Sequence, residues 1–309
     1  MSGLLRGVLL RAGRSTRMRG GLERRAFLER AGRRFVPGDT IDDALGAAVD
    51  LRVLGIPAVY TYLGEAVVDA AAAQVVVEHY VDLLRRIGTS EGDGEISVSL
   101  SQLGVDVDED AGFARLVTLA AAAGAQGSYL WIEADDGSSV DRTLDLYQRL
   151  RASQPHTGVC LRAGLRRTAK DVERLLPINP AIRLVKGGHD EPEAVAFRGR
   201  GEVDANYLGI AVTLLREGRT RPLRVALATH DADLVAQIAS HAAAAGIARD
   251  AFEVQVLFGV RAREARGLAR AGYRVRTLIP YGPAWYPWYL RRLAERPVDV
   301  LGAVRQLGR

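Results

Sequence analysis

Short apolar runs alternating with longer helix-period segments predict an α/β fold: a TIM-type barrel in which eight parallel strands and their crossover helices close into (β/α)8. The rhythm begins near residue 58 and runs unbroken to about 280, so the 309 residues read as one large barrel with a leading arm. The runs also end on glycine or polar residues: Leu63-Gly64-Glu65, Ser99, Glu133, Arg162, Arg183 to Gly188, Thr229-His230-Asp231, Gln255 and Pro280-Tyr281-Gly282. Barrels of this class carry their chemistry at the carboxyl ends of strands. Any strand leaving a core must also turn polar, so these ends mark candidates.

In chain order, residues 1–52 are expected to form an arginine-rich, amphipathic helical arm. Within it, Asp39-Thr40 caps a helix through Arg52, and Asp42 and Asp43 fall in the first turn, where the helix dipole favours acids. Residues 53–309 make the barrel domain. Strands are expected at Ala58 to Leu63, Glu95 to Leu100, Ser128 to Glu133, Thr157 to Arg162, Ala181 to Lys186, Arg224 to Ala228, Phe252 to Val256 and Tyr273 to Pro280. Ala66 to Arg86, Ala111 to Ala123, Val140 to Ala152 and Asp231 to Ala245 carry helix-period alanine and leucine. Beyond the eighth strand, Trp285-Tyr286-Pro287-Trp288-Tyr289-Leu290-Arg291-Arg292 leads into a final helix. Its aromatic face suits inward packing or a lid, and its paired arginines suit a bidentate grip on a carboxylate or phosphate.

With 48% hydrophobic and 26% charged residues the chain can bury a sizeable core, which excludes disordered and collagen-like architectures. The single cysteine, Cys160, excludes an internal disulfide, a C-x-x-C centre and a cysteine-rich metal cage, and fits a reducing, cytoplasmic compartment. Only two of the 42 basic residues are lysines, Lys170 and Lys186. The net charge of +5 is scattered as single and paired arginines among acids, with no accompanying recognition motif, so no nucleic acid is expected as partner. Neither lysine follows a glycine, so no P-loop can be written. The apolar stretch Val8 to Leu10 is far too short for a membrane span or a signal-peptide core, while the basic arm allows a peripheral membrane contact. Gly88-Thr89-Ser90-Glu91-Gly92 spells G-x-S-x-G, yet lies after a helix and before a strand, the reverse of a hydrolase elbow. The acids of His230-Asp231-Ala232-Asp233 suit the first turn of the next helix better than a metal, because no second histidine lies at ligand spacing.

From about Arg34 to Leu301 an ordered series of motifs resembles the proline dehydrogenase family, FAD-dependent barrel enzymes. The segments are Arg34-Phe35-Val36 with Gly38-Asp39-Thr40, Leu63-Gly64-Glu65, Ser101-Gln102-Leu103-Gly104, Arg183-Leu184-Val185-Lys186-Gly187, Ala228-Thr229-His230-Asp231, Phe252-Glu253-Val254-Gln255, Gly259-Val260-Arg261, Pro280-Tyr281-Gly282 and Arg291-Arg292-Leu293-Ala294-Glu295-Arg296-Pro297. The resemblance implies FAD as cofactor, with Arg183 beside the reactive N5 edge and Ala134, Arg162, Lys186, Gly187, Gly188, Thr229, His230 and Gln255 lining it. It also implies that Arg291 and Arg292 hold the substrate carboxylate, that Glu65 pairs with Arg291, and that a quinone or other acceptor reoxidises the flavin. The chemistry is coherent: a cation at the ring edge stabilises the anionic reduced flavin, and glycines let backbone N–H groups approach a pyrophosphate.

Several positions depart from the family pattern. A strand-two lysine that reaches the substrate carboxylate is Ser99 here. The strand-three aspartate is Glu133, whose extra methylene moves the carboxylate by about 1.5 Å, one single bond. A tyrosine before Pro-Tyr-Gly is Leu278, the helix tyrosine before the arginine pair is Trp288, a flavin-facing glutamine is Arg162, and the tyrosine after the glycine pair is His189. The changes fall largely on walls that would touch the amino acid. The expected function is a flavoenzyme moving a hydride from a C–N (or N–N) bond of a carboxylate-bearing amine or imino acid other than free L-proline, with Arg183 and Glu133 as catalytic residues and Glu65, Ser99, Leu278, Trp288, Arg291 and Arg292 around the substrate. The alternatives are an ordinary L-proline dehydrogenase forming pyrroline-5-carboxylate, and a barrel that binds flavin or a partner without catalysis.

Overall fold

Residues along each strand alternate between a face turned to the surrounding helices and a face turned into the barrel, and this alternation organises the core. The computed structural model describes residues 32–90, 93–133, 137–187 and 191–289. In order, the elements are α1 (Ile41–Val53), β1 (Ala58–Tyr62), α2 (Ala70–Thr89), β2 (Gly94–Val98), α3 (Glu109–Ala125), β3 (Leu130–Ile132), α4 (Val140–Arg151), β4 (Thr157–Arg162), α5 (Thr168–Leu175), β5 (Ala181–Val185), α6 (Arg200–Glu217), β6 (Arg224–Ala228), α7 (Ala232–Ala244), β7 (Glu253–Leu257), α8 (Ala262–Arg270) and β8 (Arg274–Tyr281). All eight strands pair in parallel, and β8 pairs back to β1, closing the barrel.

On the outward face, Ile96, Val98, Ile132, Leu161, Leu184, Leu227 and Val254 are buried against helix residues such as Tyr80, Leu84, Leu119, Tyr147, Leu214 and Ile238. Ile41, Ala44 and Ala48 of α1 join this core, so the helix at the end of the expected arm packs as part of the barrel. Residues 1–31 of the arm lie outside the described residues. The inward face carries a smaller cluster, Val59, Trp131, Ala181 and Ala226.

The observed elements follow the expected rhythm, with shifts that local chemistry explains. α2 starts at Ala70, not Ala66, because the Asp69 carboxylate accepts from the Ala72 N–H at 2.8 Å and caps the helix there. Helices α5, α6 and α8 complete the alternation. Ser90 follows α2 and donates its hydroxyl to the Ile87 carbonyl, so the G-x-S-x-G string sits on the wrong side of a strand for an elbow. Among the described residues no helix is long and apolar enough to cross a membrane.

The amino ends of the strands close on a buried ionic layer. Arg276 bonds Glu253 at 3.0 Å and lies 3.4 Å from Glu95 and 3.1 Å from Asp93, while Arg224 reaches Glu95 at 2.6 Å. Glu253 also accepts from the Gln255 amide at 2.7 Å, and Glu95 accepts from the Trp131 indole N–H at 2.7 Å. Burial would push the Glu253 carboxyl up; Arg276 and Arg224 outweigh it and hold it down. Replacing Arg276 with Met takes the directly bonded cation from buried Glu253 and one of two cations from buried Glu95, and Arg276→Met is expected to lower stability by about 3–5 kcal/mol, read by urea unfolding. A loss under ~1 kcal/mol would show that this layer is not a structural unit.

Candidate active site

Strand β5 brings Arg183 into the barrel, where only 2% of its surface is exposed. One nitrogen, Nη2, donates to the Glu133 carboxylate at 2.6 Å and to the Ser97 hydroxyl at 2.5 Å, and Ser97 in turn donates to Glu133 at 2.7 Å. The guanidinium lies 5.2 Å from the Trp131 ring centroid, close enough for a cation–π contact. Burial works against the charge, but the Glu133 carboxylate beside it prevails and the pKa of Arg183 is raised. Its Nη1 is buried and has no hydrogen-bond partner among the described residues. Cys160, in register with Arg183 on the neighbouring strand, is buried with its thiol pushed up to about 12 by desolvation, so it supplies no thiolate at neutral pH.

Arg162 ends β4. Its Nη1 bonds Glu191 at 3.2 Å, and Glu191 also accepts from the Gly137 N–H at 2.6 Å, tying the loops after β3 and β5 across the end of β4. The arginine stem fills space that a side chain at Gly187 would take: a Cβ there would lie 2.8 Å from Arg162, and Gly187 has φ +51°. Two of its nitrogens, Nε and Nη2, are buried without a partner among the described residues. The strand register sets Arg162 opposite Val185, Val185 opposite Ala228, and Ala228 opposite Gln255. The Gln255 amide nitrogen is committed to Glu253, which leaves its Oε1 as a third buried atom in the same row without a partner among the described residues.

Lys186 extends from the end of β5 to Asp204 of α6 at 2.5 Å and Asp231 at 2.9 Å. Asp231 caps α7 by accepting from the Leu234 N–H, and its own N–H donates to the Thr229 hydroxyl. His230 accepts from the Leu257 N–H at 3.4 Å. These contacts lock the ends of β5, β6 and β7 together.

At the opposite side of the mouth, Phe35, Val36 and Tyr289 form a buried cluster against which Leu63, Val260, Trp285 and Trp288 pack. The chain at Arg34 approaches so closely that a Cβ on Gly259 would lie 1.9 Å from its carbonyl oxygen. Leu278 belongs to the inward cluster with Trp131. Ser99 is half-buried just past β2, its N–H donating to the Gln102 side chain at 3.2 Å. Glu65 is exposed. Ala134, Gly188, His189, Arg291 and Arg292 lie outside the described residues, and so does the Arg291 end of the expected pair with Glu65.

The structure therefore brings Glu133, Arg162, Arg183, Lys186, Thr229, His230 and Gln255 to the strand ends, and adds four residues the sequence reading passed over: Ser97, Glu191, Asp204 and Asp231 as an ion-pair partner. Ser97 was legible only through its period-two spacing from Ser99; Glu191 and Asp204 carried no local signal. A buried polar atom without a partner costs about 1–3 kcal/mol, so Arg183 Nη1, Arg162 Nε and Nη2 and Gln255 Oε1 mark a ligand site offering several donors and one acceptor. Inward-facing Val185 and Ala228, both half-exposed, form an apolar floor between Arg162 and Gln255. A flat heteroaromatic ring with carbonyl and N–H edges, such as the flavin of FAD, fits this set.

Burial alone would raise the Asp231 carboxyl, but hydrogen bonds from Lys186, the Leu234 N–H and Arg200 hold it at about 2. A carboxyl lowered on folding contributes stability that is complete above about pH 4 and is lost as pH falls through the folded value. The stability difference between the wild type and Asp231→Asn should accordingly hold steady near neutrality and narrow from about pH 4 towards pH 2, measured by urea unfolding across pH. A difference that does not change with pH would remove the ion-pair assignment.

The family model for proline dehydrogenase matches residues 44–297. Proline dehydrogenase 2 of Bacillus subtilis is 32% identical over 272 residues, covering 88% of each chain. Proline dehydrogenase of Deinococcus radiodurans is 32% identical over 269 residues, covering 85% of this chain and 86% of the relative. A crystal structure of proline utilization A from Bdellovibrio bacteriovorus, inactivated by N-propargylglycine, shares the fold with a TM-score of 0.80 at 22% identity. That match covers 87% of this chain and 33% of the longer protein, of which this chain spans about a third. By the extent of the family match and of the relatives at this identity, the chain belongs to the proline dehydrogenase family.

Proposed function

We propose that this chain is an FAD-dependent oxidoreductase that oxidises a C–N, or N–N, bond of a carboxylate-bearing amine other than free L-proline. The enzyme class follows from the family, whose members bind FAD. The substrate reading rests on one observation: the wall past β2 is neutral, with Ser99 where the family resemblance places a carboxylate-binding lysine.

Arg183, Arg162, Gln255, Gly187 and the Val185–Ala228 floor would hold FAD, with Thr229, His230 and Lys186 bracing the adjoining loops. When bound, FAD supplies the acceptor for a hydride, and a quinone or comparable acceptor takes the electrons onward. Arg183 would donate from Nη1 to the N5 edge, in an orientation set by Glu133 and Ser97. That fixed charge acts without reorganisation during the reaction. Arg291 and Arg292 would grip the substrate carboxylate, Glu65 would pair with Arg291, and Leu278 and Trp288 would bound the ring of the amine. Leucine and serine in place of polar groups give a roomier, less charged wall, which favours a bulkier or N-substituted cyclic amine acid.

A second reading, ordinary L-proline oxidation, is supported by relatives named proline dehydrogenase at 32% identity. Steady-state assays with an artificial quinone separate the two. A member of a cyclic amino-acid and N-substituted amine panel should exceed L-proline in kcat/KM by at least about tenfold. Ser99→Lys should raise kcat/KM for L-proline by about ten- to hundredfold, the worth of one charge-assisted hydrogen bond. Wild-type turnover of L-proline with kcat/KM above ~10⁴ M⁻¹s⁻¹, the ordinary enzyme range, would establish the second reading instead.

A further inference from the structure

The row across β4 to β7 sets one cation, Arg162, at one end and the neutral Gln255 at the other. Arg162 has one nitrogen bound to Glu191 and two buried nitrogens without a partner among the described residues, while its side chain is 13% exposed. Its stem is wedged against Gly187, which fixes where the guanidinium can reach. Between it and Gln255 lie only Val185 and Ala228, an apolar floor suited to a flat ring. Arg183, two register positions below and on the same face of the sheet, has its own countercharge in Glu133 and an Nη1 without a hydrogen-bond partner among the described residues. Two arginines therefore lie on the same face of adjacent strands, each paired with one glutamate.

Resting on the FAD reading above, we propose that Arg162 is a second flavin-facing cation, which raises the reduction potential of the bound flavin beyond what Arg183 alone provides, and that Glu191 moderates it. A cation next to the ring favours the reduced, more negative form, and the low-dielectric surroundings strengthen that preference. Glu191 draws the guanidinium back through Nη1, so its charge offsets part of the effect. Such a site would suit a substrate whose C–N or N–N bond gives up its hydride less readily.

The test is the midpoint potential of the bound flavin, measured by equilibration with redox dyes on the full chain loaded with FAD, without substrate. Arg162→Gln should weaken binding of reduced relative to oxidised FAD by about tenfold, which for a two-electron couple lowers the potential by ~30 mV. Arg162→Lys should recover most of that loss. Glu191→Gln should move the potential upward, in the opposite direction, which damage to the loops would not do; it also decides the matter should Arg162→Gln fail to fold. A flavin-loaded Arg162→Gln or Glu191→Gln variant with the wild-type potential overturns the proposal while leaving the FAD reading intact. A wild-type chain that takes up no FAD overturns both.

Discussion

A guanidinium buried inside a barrel stays charged, so a carboxylate must stand against it to offset the cost of removing that charge from water, and the pairing of Arg183 with Glu133 is the contact on which the mouth of this barrel depends. The two residues come from β5 and the end of β3, with Ser97 of β2 hydrogen-bonded to both. A trio drawn from three strands is held by the sheet itself, so its geometry is as rigid as the barrel. Arg183 Nη1 is left buried without a hydrogen-bond partner among the described residues, on a guanidinium whose orientation is already fixed, the condition under which a charge is most useful to a reaction.

The barrel interior is built in two charged tiers with an aromatic between them. At the amino ends, Arg224, Arg276, Glu95 and Glu253 neutralise one another, and Glu95 holds the Trp131 indole. Trp131 then lies between Arg224 and Arg183, with the ring centroid 5.1 Å from one guanidinium and 5.2 Å from the other. The lower tier belongs to the stability of the fold, because the face it closes is not the one where barrels bind ligands. The upper tier belongs to the site. Gln255 joins them: its amide nitrogen is spent below on Glu253, which dictates that its oxygen is the atom presented to a ligand.

The site is asymmetric in how it is supported. On the β4 to β7 side, ion pairs from Glu191, Asp204 and Asp231 hold the strand ends, and the cations there are compensated from behind. On the β8 and β1 side, support is aromatic and apolar, from Phe35, Tyr289, Trp285 and Trp288. The residues that the proposed function turns on lie on both sides: Arg162 ends β4 on the charged side, while Ser99 lies just past β2 and Leu278 packs with Trp131 on the other.

Strand and helix periodicity was written in local sequence, and so the closed eightfold barrel, the Thr40 cap and the polar strand ends were legible in the chain alone, while Asp231, expected in a first turn, is the cap of α7. Motif order was equally local, which is why the family and the positions of Arg183, Lys186 and Gln255 could be read before any coordinates. What the sequence could not express was which charges meet. Glu133 with Arg183 is 50 residues apart, Glu191 with Arg162 is 29, and Glu253 with Arg276 is 23. Side-chain identity alone did not separate Lys186 as a strand-end cation from Lys186 as the hub of two carboxylates. Closure of the barrel decided these pairings, because it converges the inward residue of every strand on one axis and excludes water, and there each buried charge must find its opposite or a ligand.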